Sequence, residues 1–155
     1  TRSARTQFYH LNRAKEMGRG HFPFNAWLNA KLTANVNINQ TCNAFWNGVT
    51  VNFYRSGGGC ANTGEIEGVS LHEYGHGLDQ NDGSGTSLDR GTGETYGDFT
   101  AALVTHDSCV GRGFFTGGNC GGYGDACTAC TGVRDIDKTR VYVNLSEARS
   151  LLRKP

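Results

Sequence analysis

The chain has 155 residues, six cysteines, 23 glycines and a formal net charge of +1, a size that suits one domain with a real core. The near-neutral balance argues against the basic field that nucleic-acid or anionic-membrane binding needs, and no run of about 18 apolar residues exists to span a bilayer. Cysteine and glycine at this density suggest a loop-rich secreted domain held by disulfides. The first residue is Thr1 rather than a methionine, which reads as a processed form or an excised piece.

Residues 3–18 read as an amphipathic helix, with Ala4, Phe8, Leu11 and Ala14 at three- and four-residue spacing. Gly18 and Gly20 are expected to end it. His10 and His21 have no spaced partner and are expected to be ordinary surface or packing histidines. Residues 32–39 and 49–54 alternate apolar and polar side chains, the pattern of half-buried strands. Cys42 opens the run NAFWNG between them, and SGGGC, ending at Cys60, follows. Because Cys42 and Cys60 flank one element, a bridge between them is expected, and closing such a loop is worth roughly 3 kcal/mol in chain entropy.

A second helix is expected from a cap near Asn62 or Thr63 to about Asp79. It carries His72, Glu73 and His76 in the pattern HExxH. Two histidines four apart share one helix face, so both imidazoles can reach one ion. Glu73 can lie over the open position of that ion and take a proton from a water there. Zinc suits the set, because it accepts neutral imidazole and carboxylate in a tetrahedral site. Residues 80–93 form a polar, glycine-dense loop. A third helix is expected from about Thr92 to Thr105, its apolar side made by Tyr96, Phe99, Leu103 and Val104. Beyond Asp107 the pattern becomes glycine- and cysteine-rich loop, in which the pairing of Cys109, Cys120, Cys127 and Cys130 stays open. A short helical tail over 145–152 closes the chain. With no internal repeat or linker, residues 1–155 are expected to form one α+β domain, a small antiparallel or mixed sheet packed on the HExxH helix and a glutamate-bearing helix.

Two histidines need a third protein ligand. Asp82, six residues after His76, would need a sharp turn at position 79, where glycine would serve and Asp79 stands. Glu94 instead begins a new helix 18 residues after His76. Asp98, one turn further on, can accept the Nδ1–H of a metal-bound histidine. Glu94 is therefore taken as the ligand.

These blocks carry a family resemblance. HEYGH followed by GETYGD resembles the gluzincin signature HExxH…ExxxD, HEYGHG resembles the fungalysins, and NAFWNG resembles the edge-strand motif of the thermolysin family. The resemblance covers roughly residues 5–107. It implies a zincin-like fold and a zinc endopeptidase, with His72, His76 and Glu94 on the metal, Glu73 as general base and Asp98 orienting His72. Asn43 and the Ala44 carbonyl would bind an extended peptide as an added strand. Arg134 would stand for the family's arginine near the substrate carbonyl; the alternative is a solvent-exposed pair with Asp135 or Asp137. Calcium is a further implication, with Asp107, Asp125, Asp135 and Asp137 as acidic loop residues, against the alternative of solvated acids. The family's oxyanion-binding tyrosine and its later histidine have no counterpart here, which leaves Arg134, Tyr96 or Tyr123 as substitutes. His106, twelve residues past Glu94, is not assigned that role. The second reading is a degenerate gluzincin whose zinc is structural, acting as a peptide-binding module. Either way, a secreted monomer with a peptide or protein partner is expected.

Overall fold

The computed structural model describes residues 1–87, 90–117 and 130–136. The expected tail over 145–152 lies outside these residues, as do Cys120, Tyr123, Asp125, Cys127 and Asp137. Helix α1 spans Arg2–His21, with the Thr1 hydroxyl accepting from the Ala4 amide at 3.2 Å. Its buried stripe is Ser3, Gln7, Leu11, Ala14, Lys15 and Gly18, the three- and four-residue rhythm of a helix lying on a core. The helix does not stop at Gly18 but runs through it to His21. Gly18 serves packing there: a Cβ on it would come within 2.8 Å of the Tyr74 hydroxyl and 3.1 Å of Leu28. A one-turn helix, α2 (Ala26–Asn29), follows and buries Leu28 completely.

Three strands form a mixed sheet: β1 (Thr33–Ile38), β2 (Ala44–Trp46) and β3 (Thr50–Tyr54). Strand β3 enters the middle, parallel to β1 and antiparallel to β2, so β2 is an edge. Val51 and Phe53 on β3 are fully buried, and a buried side chain of that size contributes about 1.5–3 kcal/mol. The expected Cys42–Cys60 bridge is formed, with Cα atoms 5.3 Å apart. It ties the approach to β2 to the chain leaving β3.

The helix expected from Asn62 is divided. A 3-10 turn over Thr63–Glu65, capped by the Asn62 side chain, precedes α3 (Glu67–Asn81), with Ile66 extended between them. Thr63 explains the break: its hydroxyl accepts from the Tyr54 amide at 2.8 Å and donates to the Asn43 carbonyl at 2.9 Å. That pins the turn to β2 and β3 before the helix begins. Helix α3 is buried along most of its length and packs on α1, the sheet and α4 (Arg90–Thr105). Past α4, the expected loop contains a short antiparallel ribbon, β4 (Cys109–Val110) with β5 (Arg134–Asp135). Cys109 is bridged to Cys130, Cα atoms 5.4 Å apart. The described residues thus form an α+β arrangement with one hydrophobic cluster and two disulfides. No helix among them is long and apolar enough to cross a membrane.

Candidate metal centre

Helix α3 supplies His72, Glu73 and His76, and helix α4 supplies Glu94 and Asp98. The two helices cross at glycines, where a Cβ on Gly75 would sit 2.8 Å from the Gly97 Cα. Gly97 also makes room for the site itself. A Cβ there would meet His72 Cε1 and Nδ1 at 2.8 Å, so the imidazole lies directly against the α4 backbone. This crossing brings Glu94 to the histidine face.

His72 Nε2 and His76 Nε2 are 3.0 Å apart; Glu94 Oε2 lies 3.4 Å from the first and Glu94 Oε1 3.7 Å from the second. Ligands at zinc's preferred distances in a tetrahedron are separated by roughly 3.3 Å. The three side chains therefore fit one small cation, and the group could hold a metal ion. Two imidazoles and a carboxylate are also a donor set that zinc accepts. Among the described residues no fourth His, Cys, Asp or Glu joins the group.

Behind the ligands, His72 Nδ1 lies 2.8 Å from Asp98 Oδ1, in ion-pair range though off the line of a good hydrogen bond. A carboxylate on that side keeps the ring proton on Nδ1 and turns the Nε2 lone pair into the cleft. Arg134 on β5 completes the surround. Its Nε donates to Asp98 Oδ2, and its Nη2 donates to Asp98 Oδ1 at 3.0 Å and Glu94 Oε2 at 2.9 Å. Arg134 thus contacts the two helix carboxylates, and Asp137, one of the partners considered for it, lies outside the described residues.

Burial and charge set the protonation of these groups. Burial pulls the His72 imidazole down, but Asp98, Glu94 and Glu73 outweigh it and hold the ring up at about 9. Glu73 is pushed up to about 7, chiefly by burial, although His72 and the Trp46 backbone N–H work against the rise. Glu94 is held at about 2, first by its contact with His72. Burial, then the positive His72, lowers His76. Burial would raise Asp98, yet His72 and Arg134 keep it low.

The cleft above the group has a volume of about 780 Å³. One wall is the β2 edge with Asn43 and Ala44; the opposite wall includes Val110, Phe114, Val133 and Arg134. The Trp46 backbone faces Glu73 and lowers its pKa, and the Trp46 indole donates to Gln80 at 2.8 Å. The edge strand is thereby fastened to both ends of the histidine segment.

Several sequence expectations are redirected. Asp82 accepts from the Ser84 amide and hydroxyl, each at 2.7 Å, and from the Tyr96 hydroxyl at 3.2 Å, and it stands outside the metal group. Tyr96 is thus committed to Asp82 and does not line the cleft as an oxyanion donor. Asp79, the expected end of the helix, lies inside α3: it is buried and fastens Ser87, accepting its amide at 3.1 Å and its hydroxyl at 2.7 Å. Both oxygens of Asp107 accept from Arg112, and Oδ1 also accepts from the Cys109 amide at 2.9 Å. His106 ends α4 at a φ of 55°. Sequence reading missed the role of Gly97, the hold of Arg134 on Glu94 and Asp98, and the Val110–Phe114 wall. Only the first had a local signal, since glycine inside a helix costs about 1 kcal/mol and usually has a packing reason. No protein-family model matches the chain, and no curated protein matches it.

Proposed function

We propose that this chain is a zinc-dependent endopeptidase of gluzincin type, zincin-like in fold and secreted. The observation that carries the reading is the convergence of His72, His76 and Glu94 beside a buried Glu73, in a cleft walled by an open strand edge. Zinc, when bound, supplies Lewis acidity to a scissile carbonyl and to the attacking water. The remaining steps belong to the side chains. Glu73, raised to about 7, is basic enough near neutral pH to take the water's proton, and it then delivers that proton to the leaving amine. Asp98 holds the His72 tautomer that donates Nε2. The β2 edge receives the substrate as an extended strand, reading backbone rather than side chains, so that peptides of many sequences fit. Arg134 lines the same cleft with its charge directed at Asp98 and Glu94.

The rival reading, a structural zinc in a peptide-binding module, needs a closed coordination shell. Asp82 is engaged elsewhere, and Cys42, Cys60, Cys109 and Cys130 are all in disulfides. Among the described residues, both facts favour an open position and hence catalysis. The deciding experiment is cleavage of an unfolded protein by the whole chain, with and without a zinc chelator, beside Glu73→Gln. Chelator-sensitive cleavage is expected, with Glu73→Gln keeping the metal and losing at least about 100-fold in rate. Undiminished cleavage by Glu73→Gln would sink the mechanism.

A further inference from the structure

Residues 108–116 and 130–136 form a small layer that walls the cleft and carries Arg134. Its two segments meet along a short seam, which includes a bond from Gly113 N to Thr131 Oγ1 at 2.9 Å. Strands β4 and β5 share two residue pairs, Cys109 with Asp135 and Val110 with Arg134. Backbone bonds run from Val133 N to Val110 O at 2.9 Å, from Ile136 N to Ser108 O at 3.0 Å and from Phe115 N to Thr131 O at 3.0 Å. A two-stranded ribbon alone is marginal in water. Among the described residues, the covalent link between them is the Cys109–Cys130 bridge, whose cysteines are 3% and 4% exposed. It lies four residues before Arg134 in the chain. Gly132 rests so closely on the Val110 carbonyl and the Cys109 sulfur that a side chain there would collide with both. Bridge and strand therefore pack as one unit.

Arg134 is where this layer meets the metal group. It holds Asp98 with two donors, and its Nη2 also holds Glu94 Oε2 at 2.9 Å. The Glu94 side chain is 51% exposed. A glutamate that open has several rotamers to visit unless a partner selects one. We propose that the Cys109–Cys130 disulfide is a positioning element of the metal centre: it fixes β5 so that Arg134 keeps Glu94 and Asp98 in ligating geometry. The proposal rests on the assignment of His72, His76 and Glu94 as zinc ligands. Arg134 acts through Glu94 and Asp98, and the bridge acts through Arg134.

The test is the zinc dissociation constant, read by competition with a chromophoric chelator, for the full chain and four variants: Arg134→Met, Arg134→Lys, Cys109→Ala with Cys130→Ala, and Arg134→Met combined with both cysteine substitutions. Partners behind metal ligands typically carry 10–100-fold in affinity. Arg134→Met and the bridge variant should each weaken zinc by about tenfold or more. The combined variant should be no weaker than either, because both remove one coupled device. Arg134→Lys, with a point charge instead of a planar fork, should recover only part of the loss. A general loss of stability would instead multiply the two effects, and that result overturns the proposal. So does unchanged affinity in either parent variant. Should the bridge variant fail to fold by circular dichroism, Arg134→Met with the bridge intact carries the test, and unchanged affinity there is fatal. A folded wild-type chain that binds no zinc would overturn the ligand assignment itself, a separate failure seen before any variant is made.

Discussion

Substituting Gly97 with alanine sets two effects of opposite sign against each other. Helix propensity favours alanine over glycine by about 0.8–1.0 kcal/mol in a helix interior. At this position, however, the added methyl would sit 2.8 Å from His72 Nδ1 and Cε1, well inside the ~3.5–4.0 Å at which such atoms attract. Neither side can retreat cheaply. The methyl is fixed to the α4 backbone, and the ring is buried between Asp98 and His76. Overpacking of this kind costs about 1–3 kcal/mol, so the net expectation is destabilisation of up to about 2 kcal/mol. That corresponds to a fall in Tm of roughly 4–8 °C at the upper end for a chain of this length. Because the displaced atoms belong to a candidate ligand, zinc affinity should fall as well, by about tenfold or more. Gly93→Ala is the control: it lies in the same helix with nothing within 4 Å of its Cβ position, so it should gain up to ~1 kcal/mol. Thermal unfolding and chelator competition on both variants provide the readout. A Gly97→Ala protein as stable as wild type, with unchanged zinc affinity, would refute the close packing of His72 on α4.

Protonation yields further expectations. His72, held at about 9, must release its proton to ligate, so zinc affinity should rise about tenfold per pH unit toward pH 9 and then flatten. In chelator the sign reverses for stability. Because the folded pKa of His72 lies above its ordinary 6.5, its contribution is fully present below pH 6.5 and lost as pH rises to about 9. The Tm in chelator should therefore fall across that window, and a flat profile would argue against the pairing of His72 with Asp98 and Glu94. Removing the other bridge, with Cys42→Ala and Cys60→Ala, frees a loop of sequence separation 18 and should cost about 3 kcal/mol. Scanning calorimetry should show Tm lower by roughly 6–12 °C; a shift under ~2 °C would mean that the bridge barely restricts the unfolded chain.

Much of the site was legible because it is local. His72 and His76 share a face through the helical repeat alone, and Glu94 and Asp98 repeat the same spacing on α4. Alternation likewise marked β1 and β3, and the flanking positions of Cys42 and Cys60 pointed to their bridge. Errors arose where a distant partner overrode a local signal. Gly18 looked like a stop, yet contact with Tyr74 and Leu28 keeps it inside α1. Asn62 looked like the cap of one long helix, but Thr63 is tied to Tyr54 and Asn43 and divides it.

By itself, then, the sequence determined the histidine pair, its neighbouring glutamate, the second carboxylate pair and strands β1 and β3, since periodicity is a property of the backbone and travels with any segment. Only the tertiary structure decided that α3 and α4 cross at Gly75 and Gly97, and so that Glu94 faces the histidines. It alone joined Arg134 to Asp98 and Glu94 across 36 and 40 residues of chain, and committed Tyr96 to Asp82. Such contacts depend on how separate elements pack, and a repeat along the chain carries no information about distance between elements.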